Sequence, residues 1–149
     1  EAVITDIHDE IIGVMLDIEK IVHGKSVEVR LEVAIDVMCD YLFAKPEVPK
    51  LIVVSSFGKT RPDGIRDDRL AEHAPNVAIA MGLAPDKKGV SPADTAMVLA
   101  ISNAMYSFTS GENTFKGILK VEHDEYVTIV KKTLKFILIP AFTQKVAHN

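Results

Sequence analysis

Residues 6–22, DIHDEIIGVMLDIEKIV, carry the strongest secondary-structure signal in the chain. Apolar side chains recur there at spacings of four and three residues, which places them in one stripe of an α-helix. The stripe consists of Ile7, Ile11, Val14, Ile18 and Ile21. Thr5 or Asp6 is suited to cap the first amide groups, and Gly24 follows as a C-terminal stop. The segment therefore predicts an amphipathic helix at the start of the fold.

The next segment, residues 26–44, fits a helix, but its first half also fits a strand. The residues in helical register are Val27, Leu31, Ala34, Ile35, Met38, Tyr41 and Leu42. Residues 27–33 also alternate apolar and polar side chains in the strand period, so a short strand ahead of the helix remains an alternative. We favour one helix antiparallel to the first, because the connection between the two is short.

A third helix is predicted from Ser91-Pro92-Ala93-Asp94, which is the sharpest local signal in the sequence. Serine is a preferred N-cap, proline suits the first helical position, and an acidic residue suits the third. The helix is expected to run from Pro92 to about Phe108 and to end at Gly111. Its apolar face holds Met97, Ile101, Met105 and Phe108, and its small residues Ala96, Ala100 and Ala104 form a ridge that permits close approach of a neighbour.

The last predicted helix covers residues 122–139 and is stopped by Pro140. Its inward side chains are Tyr126, Ile129, Val130, Leu134 and Ile137, and its outward ones are Lys131, Lys132 and Lys135. A short charged helix from Ile65 to Ala74, ended by Pro75, is also expected. The apolar segment Val77–Leu83 is favoured as a turn of helix, with a strand as the alternative.

Two segments predict strands. Leu51–Phe57 opens with a compact, β-branched run that follows two chain-breaking prolines, Pro46 and Pro49. Thr114–Val121 alternates apolar and polar residues. The two could pair, so the sequence predicts a mainly α fold of about five helices with at most a small two- or three-stranded sheet.

Composition indicates one domain covering residues 1–149. The chain is 48% hydrophobic and 26% charged, with a mean hydropathy of +0.17, which is ordinary for a globular protein. No apolar stretch approaches the roughly 20 residues of a membrane span, and the amino terminus does not resemble a signal peptide, so a cytoplasmic location is the default expectation. The single cysteine, Cys39, is expected to be a buried thiol.

The loop that follows the first predicted strand is a candidate anion site. Its residues Ser56, Gly58, Lys59 and Arg61 combine a hydroxyl, an open backbone position and two positive charges, which suit a phosphate group. The loop ends in the Gly-Lys-Thr of a phosphate-binding P-loop. However, Val53 stands where that motif needs its first glycine, and a Pro-Asp-Gly turn follows where its helix should begin, so the full motif is absent.

Two further site hypotheses are weaker. The basic residues Lys59, Arg61, Arg66 and Arg69 could contact nucleic-acid phosphates, but acidic residues are interleaved with them and the chain has no Trp, so nucleic-acid binding is not favoured. His-Asp-Glu occurs at residues 8–10 and 123–125, where acidic residues suit a helix start better than a metal site. No metal and no cofactor is expected.

The functional hypotheses rest on charge and on apolar surface. Residues 1–44 hold ten acidic and three basic side chains, a net charge of −7, whereas the rest of the chain carries +3. Residues 136–142 are apolar on every side, which one helix stripe cannot explain. We therefore favour a non-enzymatic assembly subunit that associates with itself or with a protein partner. The alternatives are a small α/β enzyme or ligand-binding domain that holds a phosphate-bearing ligand at residues 55–61, and an assembly protein that coats nucleic acid.

Overall fold

The computed structural model of the chain describes the backbone of residues 2–57 and 68–147, and the side chains of residues 6–54 and 73–144. The backbone within these ranges forms helices and no strand. The helices are α1 (Ala2–Val22), α2 (Val27–Ala44), α3 (Glu47–Phe57), α4 (Asp68–Ala80), α5 (Pro92–Ser110), α6 (Glu112–Leu119) and α7 (His123–Ala147). The mainly α class is confirmed, and the helices in these ranges outnumber the five that were predicted. None of them is both long and apolar enough to cross a membrane.

Helix α1 begins at Ala2, earlier than the predicted caps, and ends where the glycine signal placed its end. Gly24 adopts a left-handed conformation with φ of 72°, and the Lys25 amide donates to the Val22 carbonyl at 3.0 Å. The chain then turns back into α2, which is helical from Val27 onwards. The strand alternative for residues 27–33 is therefore wrong. The segment is helical because the helical period buries one or two side chains in each turn: Leu31, Ile35, Met38, Cys39 and Leu42.

Helix α5 starts as its sequence predicts. The Ser91 hydroxyl accepts a hydrogen bond from the Asp94 amide at 3.2 Å, and the Asp94 carboxylate accepts one from the Ser91 amide at 2.8 Å. This capping box satisfies two amide groups that have no partner within the helix. The helix ends at Ser110, and Gly111 donates its amide proton to the Ser107 carbonyl at 2.9 Å.

The predicted strand Leu51–Phe57 is wrong, because these residues belong to α3. Val48 and Ile52, one helical turn apart, are buried, whereas Val54 is 68% exposed. Burial therefore follows the helical period and not the alternation of a strand. Pro49 lies in the first turn of the helix, where the missing amide proton would have had no helical partner. The prolines were interpreted as breakers, whereas one of them lies inside a helix start.

The predicted strand Thr114–Val121 is also wrong, because α6 occupies Glu112–Leu119. Glu112 pairs with Lys116 one turn later at 3.4 Å, and Lys120 ends the helix in a left-handed conformation. Both segments that were predicted to pair as strands are therefore helices. The small sheet is thus replaced by two short helices within the part of the chain that the structure describes.

Prolines also failed to mark two predicted helix ends. Pro75 lies inside α4, and Pro140 lies inside α7. Helix α4 ends instead at a Schellman motif, in which Gly82 has φ of 74° and the Leu83 amide donates to the Ala78 carbonyl at 2.9 Å. The helical interpretation of residues 77–83 is therefore correct up to Ala80, and the strand alternative is wrong.

Helices α2 and α5 lie at the centre of the described fold and pack against each other. Around them, α7 packs along α2, α3 and α4 pack along α5, and α1 packs against α2 and α3. Tyr126 of α7 is fully buried, donates a hydrogen bond to the Phe108 carbonyl at 2.7 Å, and meets the ring of Phe43 edge-on. Cys39 is fully buried as expected, and burial raises the pKa of its thiol to about 12.

The acidic and basic parts of the chain meet within the molecule. Lys131 of α7 pairs with Asp40 of α2, and Lys135 pairs with Asp36 at 2.7 Å. The prediction that both lysines point away from the fold is therefore wrong, because each lies half-buried against α2. The charge difference between residues 1–44 and the rest is partly matched between these two helices, which weakens it as an argument for contact between copies of the chain.

The apolar C-terminal segment is covered only in part. Phe142 is buried, but Phe136 is 80% exposed and Ile137 is 58% exposed. The inward position predicted for Ile137 is therefore wrong. Ile21 of α1, which was placed in the buried stripe, is also exposed, because Val22 takes the buried position at the end of that helix.

The capping box should contribute measurably to stability. We expect Ser91→Ala to lower the free energy of unfolding by about 1 kcal/mol, because the Asp94 amide loses its cap and the Asp94 carboxylate loses the hydrogen bond from the Ser91 hydroxyl. Urea denaturation followed by circular dichroism measures the change. Ser107→Ala is the control, since Ser107 is an exposed serine in the same helix, and it should change stability by less than about 0.5 kcal/mol. Equal effects of the two substitutions would contradict the capping role.

Glu112 should make stability depend on pH in the acidic range. Burial alone raises the pKa of its carboxyl, but the hydrogen bond and charge of His123, together with Lys116, outweigh burial and hold the pKa below the ordinary 4.5. The stabilisation is therefore present above about pH 4.5 and is lost as the pH falls through the lower folded-state value.

We therefore expect Glu112→Gln to be less stable than the wild type at pH 5 and to approach it as the pH falls below 4.5. Urea denaturation across this pH range measures the difference. Glu122→Gln is the control, because Glu122 is exposed. A difference between Glu112→Gln and wild type that stays constant down to acid unfolding would refute the argument.

Candidate ligand-binding site

An apolar cavity of about 150 Å³ lies between α1, α2, α4 and α5. Each helix contributes side chains from its inner face to the wall. Representative lining residues are Met15 and Ile18 of α1, Ala34 and Met38 of α2, Ala80 of α4 and Ile101 of α5. Most of the lining is aliphatic or thioether, so the cavity suits an apolar occupant and is a poor site for water.

The cavity results from the way the four helices are paired. Helix α1 packs against α2, and α4 packs against α5, while α2 and α5 pack against each other. The outer helices α1 and α4 face each other across the remaining space. Three small residues on the walls, Ala34, Ala80 and Ser102, do not fill it. The void is therefore a product of helix arrangement and of short side chains at the wall positions.

Methionine is concentrated in the lining. The chain has five methionines, and four of them line this cavity: Met15, Met38, Met81 and Met105. The fifth, Met97, packs against the core elsewhere on α5. Methionine is unbranched and polarizable, so a wall built from it can adjust to the shape of an occupant.

A second cavity of about 200 Å³ lies beside the first, at the C-terminal ends of α1 and α4. The two cavities share the lining residues Glu19, Val22, Arg30 and Ala80. The guanidinium of Arg30 donates from Nε to the Lys25 carbonyl at 2.8 Å and from Nη1 to the Ala80 carbonyl at 3.0 Å. The Ala80 carbonyl lies at the negative end of α4, which favours a cation, whereas Lys25 lies in the connection between α1 and α2. Arg30 thus connects the turn between α1 and α2 to the end of α4, and it lines both cavities.

Few other polar groups reach the lining. The Ser102 hydroxyl donates to the Val98 carbonyl of its own helix at 3.0 Å. Burial raises the pKa of the Tyr106 phenol. His73 and Asn76 of α4 lie at the wall, and neither side chain has a hydrogen-bond partner among the described residues. These groups could orient a polar substituent on an occupant that is otherwise apolar.

The anion site predicted from sequence lies mostly outside the described residues. Gly58, Lys59 and Arg61 are not among them, and only the backbone of Ser56 is described, in the last turn of α3. The strand that motivated this site is a helix, and a helix C-terminus carries a negative partial charge, which does not favour an anion. The anion site stays a prediction that rests on the residue types of the loop alone, because the preceding strand is absent.

The two other predicted sites have different outcomes. Arg66 and Lys59 of the basic stretch lie outside the described residues, so nucleic-acid binding remains a hypothesis. The two His-Asp-Glu triplets lie in α1 and at the start of α7, and His123 pairs with Glu112 at 2.6 Å. Within the described ranges, no group of three or more histidine, cysteine or acidic side chains is placed to hold a metal ion.

Sequence reasoning missed the cavity, although it had found many of the residues that form it. Leu31, Met38 and Met105 were each placed on an apolar helix face, and each is buried there. Periodicity shows that a face is covered, but it does not distinguish a filled core from a cavity wall. The only sequence signal was the recurrence of methionine on the apolar faces of several predicted helices.

Comparison of the chain with protein-family models, with curated proteins and with solved structures gave no match.

Proposed function

We propose that the protein binds an apolar small molecule in the cavity between α1, α2, α4 and α5. The observation that carries the proposal is the cavity itself, which combines about 150 Å³ of space with an apolar wall and a polar rim. An enclosed apolar cavity of this volume can hold a molecule about as large as benzene. The adjoining 200 Å³ at the rim gives room for a larger ligand or a substituent.

The energetic cost of an empty cavity supports this proposal. The cavity is partly open to solvent, so only its enclosed part costs stability when it is empty, and that cost rises with the enclosed volume. An occupant that fits would restore much of the lost contact energy. Binding and stability should therefore be coupled.

The proposal is tested by filling the cavity from within. We expect Ala34→Leu to weaken the binding of toluene at least tenfold, because the leucine side chain occupies part of the ligand volume. The same substitution should leave stability unchanged or raise it by about 1 kcal/mol, since it buries apolar surface. Calorimetric titration with toluene gives the affinity, and thermal unfolding with and without toluene gives the coupled stabilisation.

The matched control is Ala44→Leu, which makes the same change on the exposed end of the same helix. It should bind toluene as the wild type does. Wild-type protein that is not stabilised by toluene, or an Ala34→Leu variant that binds it unchanged, would show that the cavity is not a ligand site.

Self-association is a second candidate function, and a different observation favours it. Phe136 and Ile137 lie next to each other on α7 with most of their side-chain surface exposed. Large exposed apolar side chains of this kind are typical of contact surfaces. In this hypothesis the chain is an assembly subunit whose α7 packs against a second copy.

We expect Phe136→Ser to weaken such an association more than tenfold, because aromatic residues near the centre of an interface carry much of its binding energy. Sedimentation velocity over a range of concentrations measures the change. Lys132→Ser, one turn earlier on α7 and also exposed, is the control and should associate like the wild type. A wild-type chain that is monomeric at every concentration would remove the hypothesis.

A further inference from the structure

We infer that the ligand of this cavity is an uncharged aromatic ring compound, recognised by methionine sulfur atoms. The inference rests on the proposed ligand-binding function and names the chemical class of ligand. Its basis is that Met15, Met38, Met81 and Met105 come from different parts of the chain and meet around one space. Three of the four cavity helices contribute a methionine, and Met81 follows directly after the fourth.

The physical reason is the affinity of a thioether for an aromatic ring. A methionine sulfur at about 5 Å from a ring, often near its edge, gains roughly 0.3–1.5 kcal/mol beyond ordinary contact. A saturated ring of the same size offers no such gain. Several methionine sulfur atoms around one ligand can therefore raise the affinity for an aromatic ring above that for a saturated ring. The hydrophobic effect does not produce this difference, because the two rings are of similar size.

The aromatic residues of the chain are placed elsewhere. Of the phenylalanines whose side chains the structure describes, none lines the cavity, and Phe43, Phe108 and Phe115 make ring contacts on the other side of α2 and α5, near α6 and α7. Tyr106 is the one phenol in the described lining. A ligand ring inside this cavity would thus meet mainly thioether and aliphatic groups, so methionine sulfur is its main source of ring-specific contact.

The charges at the rim favour a neutral ligand. Arg30 is engaged by the carbonyls of Lys25 and Ala80, and Glu19 is the other formally charged residue in the described lining. One charge of each sign at the same end gives no net attraction for an ion. Deeper in the cavity the lining is apolar, and burying a charged group there would cost several kcal/mol.

The test compares toluene with methylcyclohexane, which has the same carbon skeleton but no aromatic ring. Both affinities are measured by calorimetric titration of the wild type and of the triple variant Met38→Leu, Met81→Leu, Met105→Leu. Leucine keeps the volume and removes the sulfur, and such exchanges usually disturb a core little. Thermal unfolding confirms that the variants fold, and the three single variants serve if the triple variant does not. Met97→Leu is the matched control, because Met97 does not line the cavity.

We expect the ratio of toluene to methylcyclohexane affinity to fall about tenfold in the triple variant and to stay at the wild-type value in Met97→Leu. A second readout uses protein labelled with ¹³C in the methionine methyl groups. On addition of toluene, ring currents should shift the signals of the four lining methionines and leave that of Met97 in place.

The possible failures are distinguishable. If both rings bind and the affinity ratio is the same in every variant, the aromatic preference is overturned while the cavity remains a ligand site. A shift of the Met97 signal as large as the other four would also overturn it. If neither ring binds the wild type, the ligand-binding function and the aromatic preference fail together.

Discussion

The apolar contacts of α2 with α1, α5 and α7 position the other helices of the described fold. Leu31, Ile35 and Leu42 are at most 1% exposed, and burial of each such side chain contributes roughly 1.5–3 kcal/mol. The ion pairs of α2 with Lys131 and Lys135 lie at the edge of the same contact, where partly exposed pairs contribute about 0–1 kcal/mol each. Apolar burial therefore holds α7 on α2, and the charges select the register in which it binds.

The same arrangement explains the cavity. The short connection at residues 23–26 ties α1 to α2, and α4 packs on α5, so each outer helix is fixed by its own central partner. Neither outer helix can move to close the space without losing those contacts. At one end the Arg30 guanidinium joins the connection between α1 and α2 to the end of α4 by hydrogen bonds. The cavity thus follows from the helix pairing, and its persistence does not require strain in any one helix.

The sequence predicted the helices with long, regular patterns and failed for the short ones. Helices α1, α2, α5 and α7 were each found, because apolar periodicity over more than four turns favours a helix even where part of the segment, as in α2, also fits a strand. Helix α3 has fewer turns and a β-branched run at Leu51–Val54, and α6 is shorter still, so their side chains fitted the strand period by chance. At α3 propensity favoured a strand, and packing against α5 overruled it.

Prolines caused a different kind of error. A proline lacks one amide proton, which costs little in the first turn of a helix, as at Pro49, but more in the interior, as at Pro75 and Pro140. The sequence rule assumes that this cost ends the helix. In α7 the buried Phe142 lies beyond Pro140, so its contact with the core offsets the missing hydrogen bond. Local rules fail where a distant contact is worth more than the local loss.

The candidate site was beyond the reach of these rules for a related reason. Motif reasoning looks for residues close in the chain, and it therefore selected the loop at residues 55–61. The cavity is built from residues that are close only in space, since α1 and α5 are separated by three other helices in the described chain order. Each lining residue has the character of an ordinary core residue. The site is the space between these residues, and that space depends on the relative positions of helices that are distant in sequence. A local sequence pattern therefore does not predict it.

The two functional candidates use separate parts of the molecule, so they do not compete. The described lining comes from α1, α2, α4 and α5 and the residue after α4, whereas the exposed Phe136 and Ile137 belong to α7. Helix α2 lies between them, with Leu31 and Ile35 in the cavity wall and Asp36 and Asp40 on the side that pairs with α7. A protein that holds a ligand on one side of α2 can therefore use the exposed residues of α7, which packs on the other side of α2, for contact with a second copy. Evidence for either function leaves the other open, because a change at the cavity wall alters no residue of the α7 surface.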